Sequence, residues 1–172
     1  MEMIDRLSGL LAQVAAVLYL GVGVMLGWEV AGRYLFNAPT IWAEELSRLF
    51  LVWGTLLGAS WLIKGGRHIR ITMLLEHMGD GPRRVLEIFS LIFVVAFAVG
   101  LIVYGSPIAL DSLERGRTTG SMIDLPVGFV QIAVPIGGLL MTLQAVVEIL
   151  RLALGGPLPS MSHDDDASEG AA

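Results

Sequence analysis

The sequence predicts an all-α membrane protein with four transmembrane helices, and three observations carry that prediction. Hydrophobic residues fill 55% of the 172 positions and charged residues only 16%, with a mean hydropathy of +0.73. Such a composition has too little polar surface for a water-soluble domain. The few charges are gathered into short clusters. Between them lie uncharged runs at residues 7–28, 49–63, 88–110 and 125–147, and three of these reach or exceed the roughly 20 residues that cross a hydrocarbon core of about 30 Å.

The first span is read over residues 7–36. Arg6 precedes it, but the apolar stretch outruns the core of a signal peptide and its leader carries Glu2 and Asp5, so an uncleaved helix is expected. Asn37, Ala38 and Pro39 break it. Thr40 is placed to cap the next helix, and Glu44 and Glu45 fall in its first turns, where the positive end of the macrodipole favours acids. This second span, residues 42–64, reaches membrane length only if Glu44, Glu45 and Arg48 sit at the interface or against protein.

A polar connector follows, with Lys64, Arg67, Arg70, Arg83 and Arg84 around an apolar stretch at 69–78 that suits a short helix lying in the interface. The third span is read over 85–107, closing at Pro107, with a polar loop from Asp111 to Asp124. Asp124 with Pro126 has the form of a capped helix start. The fourth span covers 125–154. The four-helix domain thus occupies 1–156, and the acidic tail, 157–172, is expected to be disordered.

Charge and cysteine narrow the function classes. Four negatives of the net charge of -5 come from Asp164, Asp165, Asp166 and Glu169 in the tail, so the embedded body is nearly neutral. Cysteine is absent, which removes disulfides, thiolate metal sites and cysteine nucleophiles. Arg6, Lys64, Arg67, Arg70, Arg83, Arg84 and Arg151 fall on one side of a four-span topology and Arg33, Arg48, Arg115 and Arg117 on the other. That imbalance places both termini in the cytoplasm.

Charged groups at membrane depth are costly and face protein or water, so Glu29, Arg33, Glu44, Glu45 and Arg48 are the natural candidates for a functional site. Glu29 and Arg33 are one helical turn apart, as are Glu44 and Arg48, which lets each pair neutralise itself within its helix. An ion-paired corner between the first two spans, a docking surface for a partner protein and a proton or ion relay all fit this pattern. The remaining polar residues of the spans form no mid-membrane solute site, and no internal repeat is evident. Pro135 with Gly137 and Gly138 is read as a packing kink in the fourth helix. Gly23 with Gly27, Gly54 with Gly58 and Ala96 with Gly100 are small pairs that permit close helix approach. Trp28, Tyr34 and Trp42 near one boundary and Trp61 near the other fit interfacial belts. His68 and His77 lie in the central connector, so no histidines face each other as haem ligands within the spans. No phosphate loop, metalloprotease motif or nucleophile elbow occurs, and enzyme activity is not expected.

The order Gly32-Arg33-Tyr34, then Trp42-Ala43-Glu44-Glu45-Leu46-Ser47-Arg48, Trp53-Gly54, Gly58-Ala59 and Gly66-Arg67-His68-Ile69 resembles the small membrane (Q) subunit of tripartite ATP-independent periplasmic, or TRAP, transporters, the DctQ-like family. Asp124-Leu125-Pro126 and the stretch from Ile132 to Gly138, containing Pro135, continue the likeness. The resemblance implies a multi-pass subunit of a bacterial or archaeal cytoplasmic (inner) membrane. Its partners would be a large membrane (M) subunit, which carries the substrate and sodium sites and moves as an elevator, and a periplasmic binding protein that delivers an organic acid. This chain would bind no cofactor and no nucleic acid, and would be scaffold rather than pathway. Arg33, Trp42, Glu44, Glu45 and Arg48 would organise the first two helices and their junction with the large subunit, with Glu29, Trp53, His68, Pro126 and Pro135 as secondary candidates. Two other classes stay open: a small stand-alone exporter coupled to protons through Glu29, and a membrane anchor for another complex.

Overall fold

Hydropathy and tight small-residue contacts shape a row of helices. The computed structural model describes residues 2–38, 40–64, 79–121 and 123–156. His68, the expected interfacial helix at 69–78 and the acidic tail lie outside the described residues. The elements are α1 (Glu2–Leu35), α2 (Ile41–Ile63), α3 (Asp80–Glu114), α4 (Val127–Gln131) and α5 (Ala133–Ala153). Four segments are long and apolar enough to cross a membrane: Ile4–Leu35, Trp42–Ile63, Gly81–Glu114 and Val127–Ala153.

Packing runs in the order α1, α2, α5, α3, with α4 resting on α3. α1 and α3 are therefore the edges of the row. Between them, adjacent glycines on α5 set the spacing on both sides. A Cβ on Gly137 would lie 2.6 Å from Leu56 Cβ of α2, and one on Gly138 would lie 2.8 Å from the Ala98 carbonyl oxygen of α3. On the α1 and α2 seam, Gly54 lies against Tyr19 and Gly58 against Ala15. Ile63, Leu91, Ala98, Met141, Ala145 and Leu152 form the buried apolar core along α2, α3 and α5.

Several boundaries differ from the sequence reading, each for a local reason. α1 begins at Glu2, not after Arg6, because Asp5 and Ser8 are anchored to α5. α3 does not stop at Pro107 but continues to Glu114. Proline removes one internal N–H, yet the turns beyond it are held by the packing of Leu113 on Gly128 and by the burial of Ala109. Residues 111–114 are thus helix, not loop. The loop after them folds back on itself, with Val127 N–H donating to the Arg117 carbonyl at 2.9 Å and Thr119 N–H to that of Leu125 at 3.0 Å.

The fourth span is two helices, and its break falls at Ile132 rather than as a kink at Pro135. Pro135 sits in the first turn of α5, where its missing N–H leaves the Gln131 carbonyl without an in-helix donor and ends α4. Nor does Asp124 cap this span. It occupies a turn at φ 51°, and Pro126 stands at the N-cap without a side-chain bond.

Candidate functional site

Two polar centres lie at opposite ends of the row. At the end where α1 turns into α2, Glu29 is the organising residue, only 6% exposed. One carboxylate oxygen accepts from Arg33 Nη2 at 2.7 Å, and the other accepts the Thr40 backbone N–H at 2.7 Å together with the Thr40 hydroxyl. A single acid thus ties the end of α1 to the start of α2. The backbone makes this possible. Asn37 adopts φ 51°, a left-handed conformation that asparagine tolerates. Phe36 and Ala38 both donate to the Gly32 carbonyl, at 3.2 and 3.0 Å. Glycine at position 32 eases this turn, since a Cβ would lie a tight 3.1 Å from the Ala38 carbonyl oxygen. Thr40 occupies the N-cap of α2 but makes no side-chain capping bond; its hydroxyl turns back to Glu29 instead.

The predicted block does not close into one cluster. Arg33 belongs with Glu29 and Thr40. Glu44 and Arg48 form their own pair at 2.7 Å on the exposed face of α2, a solvent-accessible arrangement that adds little stability. Trp42 is exposed. Glu45 turns inward, and one of its carboxylate oxygens is buried with no hydrogen-bond partner among the described residues. A shallow cleft of about 340 Å³ lies between the two helices, lined by Leu26, Glu29, Val30, Arg33, Tyr34 and Glu44. Trp53 lies deeper, where its indole N–H donates to the Phe129 carbonyl at 3.1 Å, fastening α2 to the short helix α4.

The second centre was not singled out from the sequence. Asp5 accepts from Arg151 at 2.6 Å, with Lys64 at 3.9 Å from the same oxygen, and Arg151 also reaches Glu148 at 3.1 Å. Gln144, wholly buried, accepts from the Ser8 hydroxyl at 2.7 Å and donates to Asp5 at 3.3 Å. Arg84 closes the far side on the Gly156 carbonyl at 3.0 Å. Ends of α1, α2, α3 and α5 meet here. A signal was present: Gln144, Glu148 and Arg151 recur at helical spacing on one face of an otherwise apolar span.

Neither centre surrounds a solute. The hydrogen bonds of both centres join residues within one helix end or between neighbouring ends, so these centres fix helix positions. The family model for tripartite ATP-independent periplasmic transporters, DctQ component, matches residues 22–155. The chain belongs to this family. As a DctQ-family protein it is a transporter component, not an enzyme. The sialic acid TRAP transporter small permease protein SiaQ of Vibrio cholerae is 26% identical over 150 residues, covering 84% of this chain and 84% of that protein. The ectoine TRAP transporter small permease protein TeaB of Halomonas elongata is 28% identical over 140 residues, 80% of this chain and 72% of TeaB. The sialic acid TRAP transporter permease protein SiaT of Haemophilus influenzae is 29% identical over 86 residues, 49% of this chain but only 14% of SiaT. A stretch similar to this DctQ-family chain is therefore built into a much longer permease.

Proposed function

We propose that this chain is the non-transporting small permease subunit of a TRAP-type secondary transporter in a bacterial or archaeal inner membrane. It scaffolds a large elevator subunit and helps dock a periplasmic substrate-binding protein during cation-coupled uptake of an organic acid. One observation carries this reading: the polar centres built on Glu29 and on Asp5 with Gln144 join helix ends, and the core between α2, α3 and α5 is closed by glycine contacts and apolar side chains. Coupling ions and substrate then belong to the large subunit. Toward the end where α1 meets α2, Glu45, Ser47, Ser112 and Gln131 each hold a buried polar atom with no hydrogen bond among the described residues. At the same end Tyr34, Trp42 and the Glu44–Arg48 pair stand exposed, which supports contact with a second protein there. With both termini cytoplasmic, as the Lys and Arg distribution favours, that end faces the periplasm and the arriving binding protein.

The test is reconstitution into liposomes of the chain alone, the large subunit alone, and the pair with the binding protein. Uptake is expected only from the complete set. Glu45→Lys is expected to weaken co-purification with the large subunit or capture of the binding protein. Solute flux from the chain alone would overturn the proposal.

A further inference from the structure

We infer that the groove between α1 and α2, at the end where α1 begins and α2 finishes, binds the headgroup of an anionic phospholipid. It rests on membrane embedding and on the groove itself, not on the transporter reading. The groove measures about 630 Å³ and is lined by Asp5, Arg6, Gly9, Leu10, Gln13, Trp61 and Lys64. Gly9 shapes its floor: a Cβ there would lie 3.3 Å from Trp61 Cζ3, so glycine lets the indole lie close against α1. Lys64 Nζ stands 4.8 Å from the Trp61 ring centroid, held over the aromatic face by a cation–π contact.

Charge decides the class of ligand. Asp5 would repel an anion were it free, but Arg151 already holds the Asp5 oxygen at 2.6 Å while Lys64 reaches it only at 3.9 Å. Glu148 takes the other side of Arg151. Counting Arg6, Lys64 and Arg151 against Asp5 and Glu148 leaves one positive charge, and it is presented by the two cations that line the groove. Arg6 is exposed and makes no described ion pair. Above these charges the wall becomes apolar, with Leu10, Val14 and Val17 exposed along α1. Cations and a tryptophan at the end of two spans, with an apolar track rising from them, suit a phosphodiester at headgroup depth and its acyl chains alongside.

The experiment is native mass spectrometry of the full chain, released from neutral detergent after incubation with phosphatidylglycerol or with phosphatidylcholine of the same acyl length. Wild type is expected to retain phosphatidylglycerol preferentially. Arg6→Gln should cut that preference about fivefold, the weight of one surface cation near anionic lipid. Trp61→Leu should lower it too, and Arg115→Gln at the opposite end should leave it unchanged. Arg6 makes no described contact that folding depends on, so this variant keeps the test valid should Lys64→Gln unfold. Equal retention of both lipids, or a preference that survives Arg6→Gln and Lys64→Gln together, would overturn the inference. Displacement of the lipid by millimolar inorganic phosphate would assign the site to a free anion instead. Loss of the lipid on adding the large permease subunit would make the groove a protein contact.

Discussion

Replacing glycine by alanine at Gly137, Gly138, Gly23 and Gly27 makes the same chemical change four times, with the same gain in helix propensity of about 1 kcal/mol. Only the surroundings differ. At Gly138 the new methyl would sit 2.8 Å from a backbone oxygen and 3.0 Å from Ile102 Cγ1, and at Gly137 it would sit 2.6 Å from Leu56 Cβ. Ordinary contact between carbons is about 3.5–4.0 Å, so α5 must retreat from α3 or from α2 by roughly 0.6–1 Å. A gap of that size forfeits a quarter to a half of the dispersion along the seam, and overpacking of this kind costs about 1–3 kcal/mol. Gly23 and Gly27 meet nothing within 4 Å, so their variants keep the propensity gain unopposed. Thermal unfolding of the purified subunit in detergent should show Gly137→Ala and Gly138→Ala melting several degrees below wild type. Gly23→Ala and Gly27→Ala should melt at or above it. Equal shifts at all four positions would refute the reasoning, because packing would then play no part.

Removing the acid in Glu29→Ala should loosen the junction of α1 and α2 far more than Glu44→Ala, whose partner stays solvated; protease sensitivity of the 35–41 turn would rank them. Asp5→Ala leaves Arg151 and Lys64 short of a counter-charge, and urea unfolding should register a loss of about 2 kcal/mol. Trp53→Phe keeps the ring but removes the donor to the Phe129 carbonyl, for an expected loss of about 1 kcal/mol, checked by the same unfolding curves.

The four spans were legible because the bilayer penalises charge so heavily that uncharged runs of membrane length stand out in any sequence. The Glu29 and Arg33 pair was legible for a similar reason, since helical spacing alone brings the two together. Thr40 was not: its hydroxyl had a local use as a cap and a tertiary use at Glu29, and only the left-handed turn at Asn37 decides between them. The centre around Asp5 joins residues up to 146 positions apart, and no periodicity reports a meeting between α1 and α5. The kink read at Pro135 is instead a break at Ile132, because proline lacks the N–H that would bond the Gln131 carbonyl one turn before it.

A row of helices has a consequence that its individual contacts do not. A polar solute crossing a membrane must be enclosed on every side, and helices set one beside another offer only a single bank to such a stream. Adding polar residues to either face of this row would expose them to lipid before it opened a passage. Under the proposed function, the other bank comes from the large subunit.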